Sequence, residues 1–255
     1  MIILPREAEN NPCVGCLRGC CSKLLVGLCG YDVWRISNAL HIRPTVFVAF
    51  ARRDETSRDD FGPYDFGLDR SASTYHMVLN VREGTDSTHP CIFALDLPTH
   101  EVRCGVYSSR PISCQSYPLT FAGEEIIVKP SLCPDGAWDL SKVNLSYWRE
   151  ELGRHNMEWS IHSFVVESWN KKVMKEAQLQ KLDFRPFLDF LLDVYQRLEL
   201  ARAEVPTEAW SGIWEQWRWF TAKQVNPLLL QESESIAAKS WHRWLKYIRK
   251  AVAGH

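Results

Sequence analysis

Nine cysteines, all within residues 13–133 and none in the 122 residues that follow, constrain this chain more than any other feature. The first four form Cys13-x2-Cys16-x3-Cys20-Cys21, in the segment NNPCVGCLRGCCSKLLVGLCG. A C-x2-C step lets two thiolates reach one metal from a tight turn, and glycines such as Gly15 and Gly19 supply the backbone freedom for wrapping. Were the segment helical, spacings of 3, 7 and 8 would still place all four thiols on one face. An odd number of cysteines excludes complete pairing within one chain. The clustering is unlike a secreted disulfide scaffold, whose bridges spread over a short chain.

A second set comprises Cys91, Cys104, Cys114 and Cys133. Cys91 is read as opening a strand and Cys104 as lying inside another. Cys114 falls in a short helical turn after Arg110-Pro111, and Cys133 precedes the turn signal Pro134-Asp135-Gly136. Four thiols from four separate elements need the fold to bring them together, and they are expected to close over the first cluster. Cys29, isolated in the apolar context LVGLCG, reads instead as core packing.

Thiolate-rich sites select zinc or iron–sulfur clusters, and four cysteines suit one tetrahedral zinc or one [4Fe–4S] cluster. The order C-x2-C-x3-C is neither the radical C-x3-C-x2-C order, which would need a cysteine where Lys23 stands, nor the ferredoxin run of C-x2-C-x2-C. Spacing therefore leaves iron and zinc open. It also leaves open one site or two adjacent ones, with Cys20 and Cys21 pointing to different metals.

The rest of the sequence predicts an α+β protein. A Cys-rich metal-binding core with a short, mostly antiparallel sheet spans 1–140, and an all-helical, Trp-rich region spans 141–255. In the core, YDVWRISNALH predicts a helix with Asp32 placed to cap it and Val33, Ile36 and Leu40 on its apolar side. TVFVAFARR is read as the start of another helix, and 52–72 as a charged, turn-rich surface loop. TYHMVLNV, CIFAL, EVRCGVY and EIIVKP read as strands, with Glu124 and Glu125 in a solvated hairpin turn. Helical patterns cover 145–180, 184–203, 207–223 and 232–252, with Pro186, Pro206 and Pro227 near their starts and breaks.

Hydrophobic residues at 45% and charged residues at 24% are ordinary for a packed core, and a net charge of -1 gives no reason to expect nucleic acid. The start MIILPREAENN lacks a basic segment followed by an apolar stretch, so no signal peptide is expected. No apolar run reaches the roughly 18 residues of a membrane span. The expected setting is the cytoplasm, where thiols stay reduced.

The pattern CVGCLRGCC, then a helix with Asp at its start, then PCIFAL, EVRCGVYSSRPISCQSYP and CPDG resembles the YkgJ-like cysteine-cluster family of zinc- or iron-chelating domains. The likeness covers roughly residues 10–138. It implies eight ligands, Cys13, Cys16, Cys20, Cys21, Cys91, Cys104, Cys114 and Cys133, and gives Cys29 no counterpart. The family includes flagellin lysine N-methylases, so the resemblance implies an S-adenosylmethionine-dependent protein methyltransferase as one activity. An electron-transfer or redox-sensing protein is the second reading. The third is a zinc-stabilised adaptor that binds a protein partner through its helical region.

Around Cys114 stand Tyr107, Arg110, Pro111, Tyr117 and Pro118. Arg110 is either a donor to the cluster sulfurs or to an anionic substrate, with Tyr107 and Tyr117 beside it, or a residue that ties down a loop before a helix started by Pro111. His155 and His162 share a helix face and read as core or surface histidines. Trp241, Trp244, Leu245, Ile248 and Val252 form one stripe beside a basic side, and Trp214, Trp217 and Trp219 follow helical spacing. There is no dinucleotide-type glycine loop, Walker loop or nucleophile elbow.

Overall fold

A computed structural model describes residues 20–53, 64–68, 73–82, 90–98, 102–129, 133, 138–175 and 183–205, together with Lys246 and Lys250. Cys13, Cys16, the helical expectation at 207–223, that at 232–252 apart from Lys246 and Lys250, and the Trp241 stripe lie outside the described residues.

The chain is α+β, with helices and short antiparallel sheets. Helix α1 (Gly30–Leu40) turns Val33 and Ile36 inward and stops at His41, which adopts the left-handed conformation that ends many helices. A 3₁₀ turn at Pro44–Val46 leads into strand β1 (Val48–Arg53). The expected helix at TVFVAFARR is thus a strand. Phe47, Val48 and Phe50 suit a pleated surface, and β1 pairs along its whole length with β3 (Thr74–Leu79), from Val48 opposite Leu79 to Arg53 opposite Thr74.

The expected surface loop 52–72 is corrected as well. Arg52 and Arg53 belong to β1, and Phe66–Gly67 form strand β2 on the other side of β3. Phe66 is fully buried and Asp65 nearly so. Tertiary partners secure this two-residue strand. Trp169 Nε1 donates to the Gly67 carbonyl at 2.7 Å, and Asn170 bonds both the Gly67 N–H (2.9 Å) and the Asp65 carbonyl (3.0 Å).

Two hairpins complete the β structure. Strands β4 (Ala94–Asp96) and β5 (Val102–Cys104) form one, and β6 (Leu119–Ala122) and β7 (Glu125–Val128) the other. The second turns at Gly123, where φ is +63°. Between the hairpins lie a 3₁₀ turn at Tyr107–Ser109 and the short helix α2 (Ile112–Ser116).

Helices α3 (Leu145–Lys175) and α4 (Arg185–Arg202) follow, close to their expected ranges. Met157, Ile161, Val165, Trp169 and Val173 of α3 recur every fourth residue and are all buried. Phe187, Leu191, Val194 and Leu198 form the buried stripe of α4. These stripes join α1, the three-stranded sheet and Leu28 in one hydrophobic cluster drawn from both sides of residue 140. Phe66 stacks on Phe187 with ring centroids 3.7 Å apart. A second, smaller cluster gathers Leu119, Trp138, Trp148 and Leu152.

One charged group is built into the main core. Glu158 is fully buried and lies 2.6 Å from Arg202, which also reaches Glu199 at 3.1 Å. The Tyr31 ring receives Arg202 and Arg35 at 4.9 and 5.2 Å. Burial raises the Glu199 carboxyl to about 7, against the pull of Arg202. Among the described residues no helix is long and apolar enough to cross a membrane.

Candidate metal centre

The 3₁₀ turn at Cys20–Ser22 packs on β5, the strand that ends in Cys104. Its link to Cys91 is covalently remote but physically direct: the Cys91 N–H donates to the Cys21 carbonyl at 2.7 Å. Cys91 forms a lone bridge with Val81, and the strand begins only at Ala94. Cys91 therefore does not open a strand as expected. It sits on the tight turn before one, with the Ala94 N–H returning to its carbonyl at 2.9 Å. Ala94 lies opposite Cys104, so the hairpin carries Cys104 back beside that turn. Cys104 is the last residue of β5 rather than an interior one.

Cys114 arrives on α2, where its N–H closes the first turn onto the Pro111 carbonyl at 2.8 Å. Pro111 is the residue just before the helix rather than its first residue.

Four thiols are close enough to influence one another's ionisation. Cys21 acts on Cys91, on Cys104 and on Cys114, and Cys91 and Cys104 both act on Cys114. Cys20 belongs to the same group, since its thiol hydrogen-bonds to Cys21. That bond, helped by the Arg110 charge and opposed by burial, lowers Cys21 to about 7. Burial dominates elsewhere: it raises Cys91, raises Cys104 to about 11, and pushes Cys114 well above its ordinary value.

Backbone amides act against that burial. The Phe93 N–H donates to Cys91 Sγ at 3.4 Å, the Ala94 amide also favours the Cys91 thiolate, and the Val106 amide favours that of Cys104. Amides aimed at sulfur stabilise thiolates and tune the metals that thiolates bind.

Arg110 contributes positive charge to Cys21 and Cys104, and its guanidinium lies 4.2 Å above the Tyr107 ring. Its carbonyl accepts from Arg35 Nη and from Gln115 Nε2, the latter at 2.7 Å. The Arg110 carbonyl thus ties down the loop before α2, the second of its expected roles. Tyr117 ends α2, donating its N–H to the Ser113 carbonyl at 3.1 Å.

Cys133 packs against the second cluster with Trp138 and Trp148. Cys29 is fully buried at the start of α1, as its apolar context indicates. His155 and His162 are both held neutral by burial, lowered to about 4 and about 3. His162 lines a cavity of 390 Å³ together with Tyr64, Asp65 and Trp159.

Soft sulfur donors from separate elements, with amides and an arginine around them, match a thiolate-bound metal in their chemistry. In position the match is incomplete. Among the described residues no group of three or more His, Cys, Asp or Glu side chains lies in metal-holding range. Cys13 and Cys16, the first two expected ligands, are outside the described residues.

Sequence reasoning missed Asp32 as part of the site's scaffold. It was expected to cap α1, and it does accept the Cys29 N–H at 3.2 Å. Its other oxygen accepts the Ile112 N–H at 2.8 Å, which is the start of the Cys114 helix. No local signal could reveal a cap 80 residues away. Comparison with protein-family models, with characterised proteins and with solved structures finds no match to this chain.

Proposed function

We propose that this chain is a metal-binding protein whose cysteines hold an iron–sulfur cluster, [4Fe–4S] in preference to zinc. The observation that supports this most is that Cys21, Cys91, Cys104 and Cys114, from a turn, two sides of a hairpin and a helix, influence one another's ionisation, with Cys20 hydrogen-bonded to Cys21. Burial disfavours the thiolates at such a place, and a bound cation would offset that by replacing the thiol proton and neutralising the thiolate. Cys13 and Cys16 would complete the ligand set. Bound there, the metal would supply a structural cross-link or a one-electron redox couple.

The test is purification without oxygen, with a visible spectrum and iron, zinc and sulfide determined per chain. A broad band near ~400 nm with about four irons and four sulfides supports a [4Fe–4S] cluster. A colourless protein with one or two zincs replaces it with a structural zinc site, and a metal-free folded protein refutes the reading.

An S-adenosylmethionine-dependent protein-modifying activity is a further proposal, and only the cysteine-cluster resemblance supports it. Calorimetric titration of the metal-loaded protein with S-adenosylmethionine tests it, and no heat of binding at millimolar ligand would end it. Redox cycling of the centre without substrate would favour electron transfer or redox sensing. Closed zinc sites and a stable protein complex would favour an adaptor.

A further inference from the structure

Three bonds tie the Cys114 helix and the loop before it to α1, and all involve Asp32 and Arg35, one turn apart. Asp32, with no exposed surface, accepts the Ile112 N–H at 2.8 Å through one carboxylate oxygen. Through the other it accepts the Cys29 N–H at 3.2 Å and the Cys29 thiol proton at 3.3 Å. Arg35, one turn further on, lies 3.7 Å from Asp32 and donates to the carbonyls of Ser109 and Arg110. The loop 109–112 is therefore gripped by its carbonyls and by its first helical amide at once. That loop carries Arg110, the cation beside Cys21 and Cys104, and leads within two residues to Cys114.

A helix of five residues has no stability of its own. Its first amides lack intrahelical partners, and a buried one left unsatisfied costs free energy. α2 thus holds its position because something outside it fixes its start. A carboxylate is the strongest available acceptor for that purpose. A water or solvated side chain could satisfy the amide, but neither would fix its place against α1.

We infer that Asp32 is the positioning residue of the thiol site: it holds the Cys114 helix in register against α1, with Arg35 securing Arg110 on the same loop. Its purpose rests on the metal-centre reading, while its geometry does not, so two readouts separate them. In the metal-stripped full-length protein, iodoacetamide labelling of each cysteine is followed by mass spectrometry. In the same protein, cobalt(II) titration is followed by thiolate-to-cobalt absorption.

Asp32→Ala is expected to speed labelling of Cys114 about tenfold through local opening, with Cys133 unchanged, and to weaken cobalt about 10- to 100-fold. Asp32→Asn keeps an acceptor for Ile112 and loses the one for Cys29, so Cys114 should stay protected. Arg35→Met should loosen Cys114 to an intermediate degree, and it decides the matter together with Asp32→Asn if Asp32→Ala does not fold. Equal labelling of Cys114 in all variants, or uniform acceleration of every cysteine, overturns the inference. Absence of cobalt binding by the unaltered protein would sink the metal reading alone, and the labelling pattern would still judge the latch.

Discussion

The helical layer and the cysteine region are stabilised in different ways. α1, α3 and α4 close on the three-stranded sheet with a continuous apolar interior, in which Glu158 and Glu199 pair with Arg202. The cysteine region has a two-stranded hairpin, a five-residue helix and a 3₁₀ turn, none able to stand alone in water. Its described cysteines are half-buried, apart from Cys29, which belongs to the core. Apolar burial accounts for the first region. The second is tied to the first by the bonds of Asp32 and Arg35.

The sharpest way to break that contrast is to remove a thiol. If a metal joins the cysteines, Cys21→Ser should lose most of it, and with it part of a binding free energy on the order of 10 kcal/mol. Elemental analysis and thermal melting read the result, and full metal content with an unchanged melting point would show that Cys21 is no ligand. Next in size is the buried ion pair. Arg202→Met leaves Glu158 without its cation in the core and should cost about 3–5 kcal/mol in urea unfolding. A loss below about 1 kcal/mol would mean that Glu158 finds a proton or another partner at little expense.

Leu191→Ala, in the α4 stripe, should cost about 3 kcal/mol by leaving a cavity. While the chain remains folded its metal content should not change, and if metal falls in proportion, the two regions are less separate than their packing indicates. The smallest effect is a pH dependence. His162 stays neutral in the fold down to about pH 3, whereas in the unfolded chain it takes a proton below its ordinary 6.5. Stability should therefore fall as the pH drops through that window, by about 2 kcal/mol from this group between pH 6.5 and 5. His162→Leu should flatten that part of the profile in urea titrations at the two pH values, and parallel profiles would refute the assignment.

The same contrast decides what was legible in the sequence. α3 and α4 are long enough for their period to declare itself, and Cys29 betrayed its burial by its apolar neighbours. β1 did not, since Phe47, Val48 and Phe50 form a short apolar run that fits helix or strand until β3 is placed beside it. β2 was hidden in a charged stretch because Trp169 and Asn170, about a hundred residues away, make its hydrogen bonds. For the site, the cysteine order pointed to a gathering of thiols; Cys21, Cys91, Cys104 and Cys114 influence one another's ionisation, but among the described residues no three come within metal-holding range. The packing of Cys133 against Trp138 and Trp148 was not visible, because only the fold of α3 places Trp148 there.

Gly30 opens α1 directly against α4, and a β-carbon built there would stand 2.1 Å from the Tyr195 ring and 2.9 Å from Leu191. No small adjustment accommodates such an overlap in a close-packed interior. Residues 30 and 195 are therefore one decision made at two places. A diverged or redesigned version of this chain that gains a side chain at the first must shed bulk at the second in the same step: the first change alone would prise α1 off α4, and the second alone would leave a cavity between them.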